Sequence, residues 1–249
     1  MYGEKKRAMV LVVCLLVAIF AEGIGTTGMI IGRWSTEAVV PAEATGRHLI
    51  ILTMQEDTTF APDNRPRCRW CRGGNQRYID YHDHEWGVAV HDDRRLFELL
   101  LLESFQAGLS WACVLNKRDA FRRAFDGFDY RKIAQYDEAR IEALGQDAAI
   151  IRHRLKIRAA VTNARIFMQI QAQAGSFDRY IWQFTHGTTL RETGLTTSAL
   201  SDRISADLRQ RGMRFVGSTI IYSYLQAIGI INSHEPDCYL YPGPSPDSL

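Results

Sequence analysis

Apolar residues recur at helical spacing along most of the chain beyond Cys68, and no sustained alternation of apolar and polar positions predicts strands. Acidic residues open the first long apolar segment and glycines follow several others, as helix starts and ends favour. The pattern predicts helices at 91–111, 117–128, 137–147, 151–175, 177–185, 201–212 and 218–229. Residues 218–229 are apolar nearly all round, so they are expected in the core. The short links indicate one compact all-α domain across 65–245.

One charge interrupts the most apolar segment. At 100° per residue, Glu103 falls on the same inward stripe as Leu99 and Ala107, with Trp111 on that side, while Glu98 points elsewhere. A carboxylate removed from water without a partner costs several kcal/mol or takes up a proton. We therefore expect Glu103 either to be desolvated, with a raised pKa, and to meet a bound cation, or to form a salt bridge to a buried arginine.

Residues 1–60 do not share this helical pattern. A basic start precedes an apolar run from Ala8 to Ala21, which is short for a membrane span and similar to the core of a signal peptide. The segment is a signal or anchor, a floppy extension, or the product of a start codon placed too early. We favour the last hypothesis, with Met54 as the initiator, and expect no membrane association unless residues 1–25 are a real anchor.

The composition is typical of a globular protein but does not indicate a binding partner. The chain has 249 residues, is 46% apolar and 23% charged, and carries a net charge of only +2, so overall charge does not predict nucleic-acid binding. Basic clusters do occur, at 65–72, 152–158 and 209–214. Five cysteines in a chain of this length do not resemble a disulfide framework, which favours a reducing, cytoplasmic location.

Cysteines and histidines near the two ends of this domain have spacings typical of metal ligands. Cys68 begins a C-x-x-C with Cys71, and an H-x-x-x-C follows near the other end. Structural Zn²⁺ takes four Cys or His ligands, and the candidates are Cys68, His82, His234 and Cys238, with Cys71 and His84 as rivals. The alternative is surface histidines and small buried thiols without metal. A closed four-ligand site leaves no position for water, which counts against a zinc hydrolase.

Five sequence blocks resemble the DNA-3-methyladenine glycosylase I family, in order and at nearly its spacing. They are "YIDYHDHEWG", "LESFQAGLSW", "IIRHRLKI", "FVGSTIIYSYLQAIGIINSH" and the final H-x-x-x-C, between Arg67 and Gly243. The resemblance implies an all-α helix–hairpin–helix fold in which one structural zinc joins the terminal segments of the domain. By motif position, it assigns the zinc ligands to Cys68, His82, His234 and Cys238 and leaves Cys71 as a neighbour.

The resemblance also implies an activity in base excision repair. The enzyme would hydrolyse the N-glycosidic bond of 3-methyladenine in alkylated double-stranded DNA, leaving an abasic site and forming no covalent intermediate. Such an enzyme flips the nucleotide into a pocket. Because alkylation at N3 makes the base cationic, aromatic faces and one carboxylate suit it. No residue obviously matches the catalytic aspartate of many related glycosylases.

The implied pocket residues contact or lie near the base. The positions matching Glu103, Tyr81 and Trp111 contact it in the family, and those matching Trp86 and Tyr78 lie close by. Trp70 offers a further aromatic surface. The alternative for each aromatic residue is ordinary core packing.

DNA is expected to bind where the helices 137–147 and 151–175 meet. Backbone N–H groups at a helix start suit a phosphate, and Arg152, His153 and Arg154 lie there. The family usually has glycine where Ala149 and Leu155 stand. Ala149 would strain a turn that needs positive φ, and Leu155 would crowd a close helix approach. A catalytically idle DNA-binding relative is therefore the alternative function.

Overall fold

The computed structural model describes residues 64–243. All of them belong to one compact unit. The interpretations of residues 1–60, including the initiator at Met54, lie outside the described residues. The domain limits of 65–245 stay a prediction.

The described chain is mostly helical. Its α-helices are α1 (Gln76–His84), α2 (Asp93–Gln106), α3 (Trp111–Asn116), α4 (Arg118–Ala124), α5 (Tyr130–Ile133), α6 (Glu138–Gln146), α7 (Arg154–Ala174), α8 (Phe177–Trp182), α9 (Ala199–Gln210) and α10 (Ser218–Ala227). Single 3-10 turns lie at Arg69–Cys71, Asp126–Phe128 and Gln183–Thr185. Strands β1 (Leu190–Arg191) and β2 (Ile231–Asn232) pair in parallel. The predicted all-α architecture is confirmed apart from this short pair.

Side chains that accept backbone hydrogen bonds start most of these helices. Asp92 caps α2 by accepting from the Arg95 N–H at 2.8 Å, and Ser198 and Ser201 form a capping box at α9. Gly175, with φ of 90°, ends α7 where the sequence predicts. The capping residues and glycines therefore explain why the helix positions were largely predictable.

The first long predicted helix is wrong at its end. Residues 91–111 were expected as one helix, but α2 stops at Gln106 and a new helix starts at Trp111. Gly108 has φ of 79° in the link, and Ser110 caps α3 by accepting from the Cys113 N–H. The geometric argument that placed Trp111 on the face of Glu103 within one helix is therefore incorrect.

Helix α2 runs through the centre of the domain and carries Glu103 into it. Every residue from Leu96 to Phe105 is buried. Helix α10 packs against α2, and the Tyr224 hydroxyl donates to the Leu96 carbonyl at 3.1 Å. Burial on all sides fixes the position of α2, so the side chains at its C-terminal end are held rigidly.

None of the helices within 64–243 is both long enough and apolar enough to cross a membrane.

Candidate active site and metal centre

A cavity of about 410 Å³ opens beside the C-terminal half of α2. Aromatic side chains form much of its wall, and polar side chains from α10 and the chain after β2 line another part. The lining residues are Trp70, Tyr78, Tyr81, Trp86, Glu103, Gln106, Trp111, Gly194, Leu195, Thr196, Ser223, Gln226, Ser233 and Glu235. All five residues predicted to surround a base therefore meet at one cavity.

Glu103 is the buried carboxylate of this cavity. It is 3% exposed, and its side chain makes no hydrogen bond or ion pair with any residue of 64–243. Burial alone raises its pKa from 4.5 to about 8. The alternative of a salt bridge to a buried arginine is wrong for Glu103. The cavity is left with a desolvated acid that a cationic ligand would ionise.

The arginine partners belong instead to Glu98, which is also buried on α2. Its carboxylate accepts from Arg118 at 2.9 Å, from Arg122 at 2.9 Å and from Arg95 at 2.6 Å. Arg118 and Arg95 also hold Glu85. Glu98 and Arg118 are the buried members of this network, whereas Arg95, Arg122 and Glu85 are partly exposed, and Glu98 does not line the cavity.

The aromatic wall is one connected group of rings. The Trp70 centroid lies 5.1 Å from that of Tyr78 and 5.1 Å from that of Trp86, in edge-to-face contacts. Tyr81 and Trp111 lie 5.2 Å apart. The indole N–H groups of Trp70 and Trp111 are buried without a hydrogen-bond partner among the described residues. Edge-to-face contacts fix the rings, and their faces suit a flat cationic ligand.

Several lining residues were missed by the sequence reasoning. Gln106 lies three residues after Glu103, so helical spacing alone was enough to find it. The Gln226 side chain donates to Ser233 at 2.8 Å, and both lie more than 100 residues from Glu103 along the chain. Loop residues 194–196 follow the β1 strand, which pairs with β2. No local pattern in the sequence marks these later residues as neighbours of Glu103.

Three of the four predicted zinc ligands lie together. The Sγ atoms of Cys68 and Cys238 and a ring nitrogen of His82 all lie within 4.8 Å of one another, and all three residues are buried. The Cys238 Sγ and His82 Nε2 are 3.5 Å apart. Among the rivals, Cys71 donates its thiol to the Cys68 carbonyl and His84 is exposed, and neither joins the cluster.

His234 lies against this cluster. Its ring centroid is 5.1 Å from that of His82, and its Nε2 is buried without a partner among residues 64–243. Gly87, with φ of 78°, allows this approach, because a Cβ there would lie 3.0 Å from the His234 Cε1.

The donor set fits a structural Zn²⁺. The Nδ1 atoms of His82 and His234 face Asp83 at 2.8 Å and Asn232 at 2.9 Å, which orients each Nε2 as a ligand. Burial raises the pKa of the Cys68 thiol to about 12. A bound cation would reverse this shift by stabilising the thiolate.

The predicted DNA-binding residues lie in the link between α6 and α7 and at the first residue of α7. Arg152 is exposed and pairs with no residue of the described chain. His153 caps α7, with its Nδ1 accepting from the Lys156 N–H at 3.3 Å. Arg154 forms an exposed ion pair with Glu142 at 2.8 Å. The three side chains therefore differ in their partners, and of the three only Arg152 is a cation without a partner among the described residues.

The two departures from the family pattern are accommodated. Ala149 is not among the described residues with positive φ, and its N–H donates to the Asp147 carboxylate at 2.9 Å. Leu155 is 65% exposed and crowds no neighbouring helix. The expected strain at Ala149 and crowding at Leu155 are both wrong.

An aromatic-walled cavity with one buried acid in a helical domain is the kind of site in which enzymes hold a base taken out of DNA. Residues 70–241 match the methyladenine glycosylase family. The chain is 46% identical over 187 residues to DNA-3-methyladenine glycosylase 1 of Escherichia coli (strain K12), covering 72% of this chain and 99% of that protein. It is 38% identical over 178 residues to DNA-3-methyladenine glycosylase of Haemophilus influenzae, covering 69% and 96%.

Solved structures agree with this similarity. A crystal structure of 3-methyladenine DNA glycosylase I superposes with a TM-score of 0.68 at 41% identity, covering 71% of this chain and all of that one, 100%. The Staphylococcus aureus enzyme, studied for 3-methyladenine recognition, superposes with a TM-score of 0.67 at 34% identity, covering 70% and 97%. The chain belongs to the methyladenine glycosylase family.

Proposed function

We propose that the protein is a monofunctional DNA glycosylase that hydrolyses the N-glycosidic bond of 3-methyladenine in alkylated double-stranded DNA and leaves an abasic site. The observation that carries this proposal is the unpaired carboxylate of Glu103 inside an aromatic cavity. The relatives named above are 3-methyladenine glycosylases, which supports the same substrate.

Charge complementarity explains how the site would act. Adenine alkylated at N3 is cationic and a good leaving group, so the enzyme needs recognition more than a strong general acid. The ionised Glu103 accepts a hydrogen bond from the exocyclic amine, and Tyr81 and Trp111 present π faces to the ring. Trp86 and Tyr78 complete the aromatic wall. On cleavage the base leaves neutral and its positive charge passes to the sugar, so the cavity acts by recognising and positioning the cationic base, while the good leaving group keeps the barrier low.

The lining of the cavity supports hydrolysis without a covalent enzyme intermediate. A glycosylase that also cuts the DNA strand attacks the sugar with an amine. No lysine lines the cavity within the part of the chain that the structure describes. Water is therefore the nucleophile in this proposal, and the DNA strand stays intact.

The two helices α6 and α7 are proposed as a degenerate helix–hairpin–helix that holds the duplex backbone. Arg152 would contact a phosphate directly, and the N-terminus of α7, capped by His153, points backbone N–H groups outward. Arg154 would exchange Glu142 for a phosphate at small cost, because exposed ion pairs contribute little.

The zinc site is proposed as structural, with Cys68, His82, His234 and Cys238 as ligands. Zn²⁺ in such a site supplies no chemistry to the reaction and joins the segment before α1 to the segment after β2. The first of these segments carries Trp70 and the second carries Glu235, and both residues line the cavity. The metal would thus hold two walls of the cavity together.

One assay tests the function: release of free base from methylated duplex DNA by the purified protein. We expect the parent to release 3-methyladenine without strand cleavage, and we expect this release to fall strongly in Glu103→Gln and in Trp111→Ala. A protein that binds duplex DNA in a salt-dependent way but releases no base would be the idle relative instead. Loss of activity on chelation with the fold intact would favour a zinc hydrolase.

A further inference from the structure

Lys156 is a buried lysine at the start of α7, and its side chain contacts the end of α2. It is 5% exposed, and its ammonium group donates to the carbonyl oxygens of Phe105 at 2.8 Å and Ala107 at 2.5 Å. Its Nζ also lies 5.8 Å from the ring of Phe215. A buried lysine is uncommon unless it is paired, and here its partners are backbone carbonyls.

Those two carbonyls lie at the C-terminal end of α2. The last carbonyls of a helix have no partner within the helix, and a cation there also interacts favourably with the helix dipole. Glu103 lies in the last turn of α2, and Trp111 starts α3 four residues beyond Ala107. The Lys156 ammonium therefore ties the segment that carries both residues to α7.

Lys156 itself belongs to the first turn of α7. His153, which caps this helix, accepts a hydrogen bond from the backbone N–H of Lys156. The same residue is thus part of the helix N-terminus proposed to face a phosphate and is bonded to the segment that faces the base. Only a void of about 10 Å³, room for one water, lies beside it, so the contact is tightly packed.

A second lysine makes a matching connection in the opposite direction. Lys117, between α3 and α4, places its Nζ 3.0 Å from the Ala149 carbonyl and 3.5 Å from the Ala148 carbonyl. These carbonyls belong to the turn between α6 and α7. The helix that begins with Trp111 is therefore tied to this turn, as the end of α2 is tied to α7.

We propose that Lys156 is a positioning residue that couples the phosphate-binding helix pair to the base cavity, and that Lys117 is a second, weaker coupling contact. This proposal rests on the function proposed above. Lys156 does not line the cavity and is not a catalytic residue. Its effect is on the position of the flipped base relative to the DNA phosphates that α6 and α7 are proposed to bind.

The coupling predicts a split between binding and reaction. In Lys156→Met, the base cavity and the phosphate-binding helix pair are each intact, but their relative position is no longer fixed. We expect the single-turnover rate of base release to fall about 100-fold, the typical effect of a misplacement near 1 Å. Affinity for free 3-methyladenine, followed by tryptophan fluorescence, and for a duplex with a stable abasic-site analogue should stay close to those of the parent.

Arg158→Met is the matched control. Arg158 also lies on α7, but its ion pair with Glu138 stays within the helix pair. This variant should keep the parental rate. A purely structural role for Lys156 would instead lower the affinity for free base together with the rate, and that result would overturn the proposal.

The outcomes also separate this inference from the proposed function. A parent protein without base release would overturn both. A parent that releases base beside a folded Lys156→Met with the parental rate would overturn the inference alone. If Lys156→Met does not fold, Lys117→Met carries the test. A parental rate in Lys117→Met then overturns the proposal, and a reduced rate with free-base affinity retained supports it.

Discussion

Glu103→Gln removes the carboxyl group that the cavity buries without a partner among residues 64–243, and its effect on stability follows from the structure. Burial raises the pKa of Glu103 from 4.5 to about 8. Between these values the folded protein binds more protons than the unfolded chain, so the free energy of unfolding decreases as the pH rises. At 1.36 kcal/mol per pH unit, the loss is about 5 kcal/mol when the pH exceeds the folded-state pKa.

The glutamine variant does not ionise and avoids this loss. We expect its free energy of unfolding, measured in urea, to exceed that of the parent by several kcal/mol at alkaline pH. Below pH 4.5 the parent carboxyl is protonated in both states, and the difference should vanish. A destabilised variant at alkaline pH would show that Glu103 has a partner.

The Glu103→Gln substitution should raise stability but lower activity. Without the carboxylate the cavity loses a charged hydrogen-bond acceptor for the cationic base, and we expect kcat/KM for base release to fall about 100-fold or more. In the parent, kcat/KM should rise with pH through the pKa of about 8, because the ionised form is complementary to the cation. The assignment of Glu103 would be refuted if kcat/KM of the parent did not change with pH across that pKa. It would also be refuted if Glu103→Gln kept the same inflection.

Glu98→Gln is the matched control on the same helix. It makes the same chemical change at a carboxylate that three arginines hold. Breaking such a buried pair should cost about 3–5 kcal/mol of stability. Once folded, the variant should release base with the parental pH profile, because Glu98 does not line the cavity.

Three further predictions address the metal, the DNA contact and the surface leucine. Cys238→Ser should reduce bound zinc from one equivalent, measured by atomic absorption, and lower the Tm, whereas His84→Ala should do neither. Arg152→Ala should weaken duplex binding for all sequences and reduce the slope of log K against log salt by about 1. Leu155→Gly should cost about 1 kcal/mol of stability in denaturant unfolding, as glycine does in an exposed helix, and a larger loss would reveal a packing role.

The sequence predicts the helices and the aromatic residues well, because both leave local patterns. Apolar periodicity and capping residues locate the helices, although Gly108 and the Ser110 cap divide residues 91–111 into two. Trp111 was placed correctly at the cavity for a partly incorrect reason, since the resemblance and not the helical wheel accounts for its position.

Contacts between distant segments were not predictable in this way. Lys156 and the Phe105 carbonyl are 51 residues apart, and nothing in the local pattern distinguishes this lysine from a solvated one. Gln226 and Ser233 reach the cavity only because α10 packs on α2. The sequence specifies which residues are buried, whereas packing alone determines which buried residues meet.

Glu98 and Glu103 show how the neighbours of a buried carboxylate affect its selectivity for a ligand. Both are buried carboxylates on α2, but only Glu98 is paired, so only Glu103 must lose a proton when its ligand arrives. At pH 7, ionising an acid with a pKa of about 8 costs about 1.4 kcal/mol. A cationic base offsets this cost through its charge, whereas neutral adenine of nearly the same shape does not. In the proposed function, the unpaired acid would therefore discriminate against undamaged adenine before any bond is broken, and a permanent arginine partner would remove that discrimination.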